Sequence, residues 1–334
     1  MFQAGEGEIC AQPHELRGQV RRIMVTLAHS KPVEKVDRMA KVSRGATALP
    51  SHLVVEGDAR NLSFIPRESV HFVCTSPPYG SLIQYPEHEN QLGNIESYQS
   101  FLLEMDKVWS ECLRILVPGG RVACVVGDVC ISRRKGGRHH VLPLSADFQV
   151  CARRVGFDNL TPIRWLKISN MKLEASKSGR YLGKPNLPNG IVKNDIENIL
   201  FFRKPGGYRK PTKEMERLSR IETEDYVNWF SPVWSDIKGQ RRKDHPAPYP
   251  SEIPKRLIRM FSFAGDTVVD PFGGTGSTAF AALQTGRSSI SVEIEPAYVT
   301  LMESRLRSLG SVHADVRVRR KPEKFAAQVE LGRT

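Results

Sequence analysis

The sequence predicts an α/β fold with a doubly wound, mainly parallel β-sheet. From residue 51 onward, short apolar runs alternate with amphipathic stretches, and several of the apolar runs end in turn residues. Near the carboxyl end, one apolar run leads through a glycine-rich turn into a helix of small residues. Alternating strands and helices are typical of parallel sheets with crossover helices on both faces. The 334 residues can bury a sizeable core, as one large domain or as a domain with an insertion.

The elements of residues 51–169 come first in this pattern. Apolar spacing over 97–116 indicates a helix with one buried face, and Pro118-Gly119-Gly120 is expected to end it. The elements predicted in this part are strands at 53–56, 69–75 and 121–126 and helices at 97–116 and 148–155.

The remaining segments are less uniform. Residues 170–240 are basic, rich in glycine and proline and irregular, apart from a strand at 199–202, and we interpret them as an insert that recognises the target. The regular pattern returns at residue 251, within a predicted cofactor-binding part at 241–310. Its elements are a helix through Leu257, Ile258 and Phe261, a strand at 267–270, a helix at 277–285 and a strand at 289–294. Residues 1–50 are predicted to be peripheral, with a helix at 14–28, and 311–334 form a basic tail.

Composition and charge restrict the function. With 49 Lys and Arg against 36 Asp and Glu, the formal charge of +13 favours a polyanionic partner. The charge is concentrated in two clusters, at 133–140 and 238–245, which we interpret as loops able to follow a phosphate backbone, with a merely solvated loop as the open alternative for each. No apolar stretch is long enough to span a membrane, and six scattered cysteines without a C-x-x-C pair argue against a metal site or disulfides. A cytoplasmic location is expected.

The glycine-rich turn, Asp270-Pro271-Phe272-Gly273-Gly274-Thr275-Gly276, follows a strand and precedes a helix, where a nucleotide-like ligand docks in a doubly wound sheet. It lacks the lysine of a phosphate-binding loop, which disfavours nucleoside triphosphates. Asp270 could face the α-amino group of S-adenosylmethionine, and Glu293, at the end of the next strand, could accept both ribose hydroxyls. Asp58 ends another strand at the same edge and could accept from the adenine amino group, although a plain turn would look similar. A dinucleotide-binding turn and a purely structural turn stay open.

The segment Ser76-Pro77-Pro78-Tyr79 directly follows a buried strand. Two prolines stiffen the loop, so that a hydroxyl, a carbonyl and an aromatic ring project together. Hydrogen bonds accepted by Ser76 Oγ and the Pro77 carbonyl would localise the lone pair of an exocyclic amine for attack on a sulfonium methyl group. Tyr79 would stack on the base, which must be flipped out of the duplex. Cytosine C5 methylation is excluded because no Pro-Cys occurs, and Cys74 is interpreted as a core residue.

Together these motifs resemble the permuted beta group of DNA amino-methyltransferases, in which the catalytic motif precedes the cofactor motif. The likeness covers residues 52–305 and includes Gly57-Asp58-Ala59, Trp165-Leu166-Lys167, the run 199–206 and the run 245–250. It implies a Rossmann-like, S-adenosylmethionine-dependent methyltransferase fold. It also implies S-adenosylmethionine as the cofactor, double-stranded DNA as the substrate, and the N4 nitrogen of cytosine as the target, because serine at position 76 is typical of N4-cytosine enzymes.

The resemblance also assigns site residues. The catalytic set is Ser76, Pro77, Pro78 and Tyr79, and the cofactor set is Asp58, Thr75, His245, Pro246, Asp270, Pro271, Phe272, Gly273, Gly274, Thr275, Gly276 and Glu293. Trp165 is a candidate for the base pocket or for the core. The expected setting is a restriction-modification system with a cognate endonuclease, or an orphan modifier, acting as monomer or homodimer. Open alternatives are an N6-adenine enzyme on this fold, an RNA or protein-amide methyltransferase, and a DNA-binding protein that has lost catalysis.

Overall fold

A nine-stranded β-sheet organises the chain. The structure is a computed structural model that describes residues 50–80, 88, 90–131, 133–167, 188, 192, 196–239, 250–310 and 314–320, all within the compact unit Leu49–Thr334. The predicted N-terminal helix at 14–28 lies outside the described residues. None of the described helices is long and apolar enough to cross a membrane.

The described chain contains eleven strands and eight α-helices. The strands are β1 (Ser51–Glu56), β2 (Val70–Thr75), β3 (Leu116–Val126), β4 (Val129–Ile131), β5 (His140–Leu142), β6 (Asp158–Leu166), β7 (Ile196–Arg203), β8 (Val233–Trp234), β9 (Thr267–Asp270), β10 (Ser288–Glu293) and β11 (Asp315–Arg319). The helices are α1 (Tyr98–Ile115), α2 (Arg133–Gly136), α3 (Leu144–Val155), α4 (Lys213–Ser219), α5 (Thr223–Trp229), α6 (Glu252–Phe261), α7 (Ser277–Gln284) and α8 (Pro296–Gly310).

The main sheet has the strand order β11-β1-β10-β9-β2-β3-β7-β6-β8. The six strands from β11 to β3 are mutually parallel, and β7 runs antiparallel to both β3 and β6. The chain moves outward in one direction after β9 and in the opposite direction after β2, so the order reverses between these two neighbours. The prediction of a doubly wound, mainly parallel sheet is confirmed, and this reversal is where such sheets bind ligands.

Both faces of the sheet are covered by apolar packing. On one face, the fully buried Trp109 of α1 makes edge-on contacts with Phe148 of α3 and Phe202 of β7, with ring centroids 5.5 and 5.6 Å apart. On the other face, Leu257 and Ile258 of α6 belong to a second buried cluster. These layers fix the strand ends, and the loops that follow them, in place.

The Pro118-Gly119-Gly120 segment differs from its prediction. Helix α1 ends at Ile115, and the segment lies inside β3. Gly119 N donates to the carbonyl of Lys204 (3.1 Å), and Lys204 N donates to the carbonyl of Gly120 (2.9 Å). A Cβ on Gly119 would lie 2.8 Å from the Gly207 carbonyl oxygen, so glycine here permits close strand approach.

The predicted insert at 170–240 is partly a component of the main sheet. It supplies β7, which lies between β3 and β6, and β8, whose Trp234 is buried. The basic stretch before β7 lies largely outside the described residues. These strands join the core because β7 pairs with β3 and β6 and β8 pairs with β6. The local sequence pattern does not show such pairing between distant segments. Its role in target recognition stays a prediction.

Candidate active site

A cleft of about 870 Å³, counting its opening to solvent, lies at the carboxyl-terminal edge of the sheet beside the β9–β2 reversal. Small-molecule sites in proteins commonly have this size. Most of the predicted site residues meet there. Those that line the cleft are Asp58, Ser76, Pro77, Pro78, Tyr79, Pro271, Phe272, Gly273, Gly274, Thr275 and Glu293.

The glycine-rich turn forms one wall of the cleft. Gly276 is the N-cap of α7 in the left-handed conformation (φ 84°), and a Cβ there would lie 2.6 Å from Met302 Cγ. A Cβ on Gly273 would similarly lie 2.7 Å from Met302 Cε. These two glycines therefore let the turn pack against α8. Gly276 itself is not among the residues that line the cleft, and its predicted part in cofactor binding stays a prediction.

Glu293 at the end of β10 presents a fixed carboxylate to the cleft. Its Oε2 accepts a hydrogen bond from Gly274 N (2.7 Å), and its Oε1 accepts one from Glu295 N (2.9 Å). The lone pairs that these bonds leave on the carboxylate can accept from a ligand hydroxyl. Burial raises the pKa of Glu293 to about 7, so a partner that donates to the carboxylate favours its ionised form.

We expect affinity for S-adenosylmethionine to depend on pH through Glu293. The cofactor-free pKa of about 7 means that acidification protonates the acceptor predicted for the ribose hydroxyls. If only the ionised form binds, affinity falls about tenfold from about pH 8 to about pH 6. Calorimetry across this range measures the effect. Glu293→Gln should bind weakly with a flatter profile, and an equal slope in both proteins would contradict the assignment.

Asp270 and Thr75 lie behind the cleft wall, and their predicted part in cofactor binding stays a prediction. Both side chains are buried, and Thr75 Oγ1 donates to Asp270 Oδ1 (2.7 Å). Phe272 N donates to the same oxygen (3.0 Å). Through these two bonds Asp270 joins the glycine-rich turn to the residue that precedes Ser76, and so links the predicted cofactor and catalytic loops. Burial raises the pKa of Asp270 to about 6.

Asp58 lines the cleft, and its carboxylate forms an ion pair with Arg60. Arg60 Nε lies 3.0 and 3.1 Å from the two Asp58 oxygens, and Arg60 Nη2 donates to Oδ2 (2.6 Å). The same guanidinium donates to Glu104 of α1 (2.6 Å) and to Asn90 Oδ1 (3.1 Å), which is also on the cleft wall. Arg60 thus orients Asp58 and ties it to two other segments. Sequence reasoning missed this residue, and its position two residues after Asp58 is the only local signal.

We expect Arg60→Ala to raise the KM for S-adenosylmethionine about fivefold to tenfold with little change in kcat. The reason is that loss of a charge-assisted contact costs roughly 1–1.5 kcal/mol when the partner stays partly solvated. Arg60→Lys keeps the charge but not the fork of donors, so it should rescue only partially. Steady-state kinetics test this, and a pure loss of kcat would show that Arg60 does not act through the cofactor subsite.

The Ser76-Pro77-Pro78-Tyr79 loop forms the opposite wall. Ser76 Oγ donates its proton to the Val125 carbonyl of β3 (3.0 Å), so its lone pairs are the groups left to interact with a ligand. Gly127 N donates to the Tyr79 hydroxyl (3.3 Å), which anchors the ring beside the end of β3. At Ser76 the loop therefore offers a ligand a hydrogen-bond acceptor rather than a donor.

Cys74 is placed in the core of the sheet. It is fully buried in β2, and burial raises the pKa of its thiol well above the ordinary value. A thiol that stays protonated is a poor nucleophile. The structure thus agrees with its interpretation as a structural residue.

Three predicted positions remain. His245 and Pro246 lie outside the described residues. Trp165 is fully buried in β6, and its Nε1 donates to the Ile237 carbonyl (2.8 Å), so it is a core residue and not part of the base pocket. Its neighbour Lys167, half-buried, pairs with Glu197 of β7 and lies 4.8 Å from the Trp165 ring centroid.

Comparison with known proteins connects this cleft to a family. The N6_N4_Mtase family model, described as DNA methylase, matches residues 70–304. The Type II methyltransferase M.MjaI of Methanocaldococcus jannaschii is 36% identical over 289 residues, covering 77% of this chain and 91% of that protein. M.MthZI of Methanothermobacter thermautotrophicus, another Type II methyltransferase, is 32% identical over 296 residues, with coverages of 81% and 80%.

Solved structures give the same result. The crystal structure of TTHA0409 from Thermus thermophilus, complexed with S-adenosyl-L-methionine, is 45% identical with a TM-score of 0.66, covering 80% of this chain and 98% of that one. The PvuII DNA methyltransferase, cytosine-N4-specific, shares the fold at 22% identity and a TM-score of 0.55, with coverages of 76% and 87%. DNA methyltransferases of this family use S-adenosylmethionine, which confirms the predicted cofactor. The chain belongs to the N6/N4 DNA methylase family.

Proposed function

We propose that the enzyme transfers a methyl group from S-adenosylmethionine to the exocyclic N4 amino group of a cytosine flipped out of duplex DNA. The observation that carries this proposal is the bonding of Ser76. Its hydroxyl proton is engaged by Val125 at 3.0 Å, so the oxygen acts toward the substrate as a short, neutral acceptor. Serine at this position is typical of N4-cytosine enzymes.

The residues of the loop perform the activation. The amino group of cytosine is a poor nucleophile because its lone pair is delocalised into the ring. Ser76 Oγ and the Pro77 carbonyl accept its two N–H bonds and draw the nitrogen toward tetrahedral geometry, which localises the lone pair. Tyr79, held through Gly127, stacks on the extrahelical base and fixes its plane.

The cleft fits S-adenosylmethionine. Glu293 offers two oriented oxygens for ribose hydroxyls, and Asp58 offers an acceptor in the same cleft as the aromatic ring of Phe272. The buried carboxylate of Asp270 adds a negative charge behind the wall, which favours a cationic ligand. When bound, the cofactor supplies the electrophilic methyl group on its sulfonium.

The biological setting we propose is a restriction-modification system or an orphan modifier. The similarity to two Type II methyltransferases over most of their length supports this setting. An N6-adenine target on the same fold is the alternative, because the family model includes both chemistries.

Macromolecule-specific labelling tests the substrate class. The enzyme is incubated with methyl-labelled S-adenosylmethionine and, separately, mixed-sequence duplex DNA, RNA and a host protein extract. We expect label in the DNA, removed by deoxyribonuclease. Label in RNA or protein alone would overturn the proposal, as would a protein that binds DNA but not the cofactor.

A further inference from the structure

A basic β-hairpin follows β3 at the carboxyl-terminal edge of the sheet, next to the residues that hold Tyr79. Strands β4 and β5 pair antiparallel, with Val129 opposite Leu142 and Ile131 opposite His140. The short helix α2 closes the tip, and a Cβ on Gly136 would lie 2.6 Å from Ile131 Cγ2, so this glycine lets the tip fold down on the hairpin. The sequence-based interpretation of 133–140 as a loop is corrected in this respect.

Both ends of the hairpin are anchored beside the catalytic loop. At its start, β3 ends at Val126, and the next residue, Gly127, donates to the Tyr79 hydroxyl (3.3 Å). Asp128 Oδ1 accepts from Ser145 N in the first turn of α3 (2.8 Å), which ties the two ends of the hairpin together. Each strand of the hairpin has three residues, which corresponds to about 10 Å of strand.

The hairpin carries unbalanced positive charge. Residues 129–142 contain four Arg or Lys and two His but no Asp or Glu. Arg133, Arg138 and His139 are exposed. Within the described part of the chain, neither Arg133 nor Arg138 forms an ion pair, whereas several other exposed arginines of the fold pair with a carboxylate. Exposed, unneutralised arginine beside a cleft attracts a polyanion.

We infer that the β4–β5 hairpin is a DNA-binding element that grips the phosphate backbone next to the flipped base. This inference rests on the proposed DNA substrate. The hairpin follows directly from the strand end whose Gly127 holds Tyr79, so its arginines are close in the chain to the loop that a flipped base would enter. Contacts with phosphate position the duplex and carry no sequence information, so the hairpin adds affinity and register rather than specificity.

The salt dependence of DNA binding tests this inference. The variant Arg133→Gln/Arg138→Gln is compared with the wild type by fluorescence anisotropy over a series of salt concentrations. Loss of two phosphate contacts should reduce the slope of log Kd against log salt by about 1.8. The KM for DNA should rise while affinity for S-adenosylmethionine stays unchanged. Arg133→Lys/Arg138→Lys should restore most of the slope, since it keeps the charge.

A charge-matched control separates local contact from net charge. Arg67 precedes β2 and Arg153 lies in the last turn of α3, so both lie toward the edge of the sheet where the parallel strands begin, opposite the cleft. Both residues are exposed. Arg67→Gln/Arg153→Gln should keep the wild-type slope. Equal slopes for the two double variants would overturn the hairpin inference while leaving methylation intact. A wild type that binds no DNA would instead remove the proposed function.

Discussion

Replacing Ser76 with alanine is expected to lower the rate of methyl transfer about 100-fold or more, the usual effect of removing one oriented hydrogen-bonding group from a transition state. Ser76 Oγ gives its proton to Val125 and keeps its acceptor side for the substrate amine. Alanine removes that acceptor but leaves the Pro77 carbonyl and the anchored ring of Tyr79. Affinities for the cofactor and for duplex DNA should change little. Single-turnover kinetics with saturating substrates isolate the chemical step.

Cys74→Ala is the matched control for this result. Cys74 lies two residues earlier, in the strand that leads to Ser76, and is buried among apolar side chains. Its replacement should cost about 1 kcal/mol of unfolding free energy or less, with transfer retained. If Cys74→Ala abolished transfer and Ser76→Ala did not, the acceptor mechanism would be wrong and a thiol mechanism would replace it.

The second large effect is expected at Asp270, where the effect of its negative charge can be separated from the effect of its hydrogen bonds. Asp270→Asn keeps an acceptor for Thr75 Oγ1 and Phe272 N but removes the negative charge behind the cleft. We expect about tenfold weaker binding of S-adenosylmethionine, as for a partly buried charge pair. Asp270→Ala also leaves those two donors without a partner, which adds about 1–3 kcal/mol of instability for each. Calorimetry and thermal unfolding measure the two effects.

The stability of the Asn variant has a definite sign. Burial raises the pKa of Asp270 to about 6, above its unfolded value near 3.9, so the folded state binds more protons between these values. The ionised carboxylate therefore destabilises the cofactor-free protein above about pH 6, and this effect fades as the pH falls. Asp270→Asn should match or exceed the wild-type Tm at neutral pH. A lower Tm with unchanged cofactor affinity would show that Asp270 is only a structural brace.

Thr75→Val gives an independent check on the link between the loops. It removes the 2.7 Å bond to Asp270 without removing the carboxylate. If the bond orients the catalytic loop, Thr75→Val lowers kcat in the wild-type background and has a smaller effect when combined with Asp270→Ala. Additive effects would mean that the two residues act separately.

Much of this fold could be predicted from sequence because its strands carry strong local signals. The strand before the glycine-rich turn is found at Thr267–Asp270, as predicted, since Gly265-Asp266 and Pro271 punctuate both of its ends. Helix α1 begins one residue after the predicted start, because Ser97 accepts from Ser100 N and caps it. The glycine-rich turn and the Ser-Pro-Pro-Tyr loop meet at one cleft because the carboxyl ends of parallel strands share an edge.

The wrong or missing predictions come from contacts that local pattern does not encode. The bond that holds Asp270 behind the cleft wall comes from Thr75, 195 residues away in the chain, which no local pattern shows. Arg60 carries no motif, and its importance arises from reaching Glu104 and Asn90 at once. The sequence alone does not decide whether Trp165 lines the base pocket or lies in the core. The fold decides it, because Nε1 of the buried ring donates to the Ile237 carbonyl.

Nucleoside analysis of methylated DNA tests the central claim most directly. Mixed-sequence duplex is incubated with the wild-type enzyme and S-adenosylmethionine, digested to nucleosides and resolved by mass spectrometry against methylated standards. Serine at position 76, typical of N4-cytosine enzymes, leads us to expect N4-methyldeoxycytidine, absent from a parallel reaction with Ser76→Ala. N6-methyldeoxyadenosine would keep the fold, cofactor and loop chemistry but overturn the cytosine assignment, and 5-methyldeoxycytidine would contradict the amine mechanism itself.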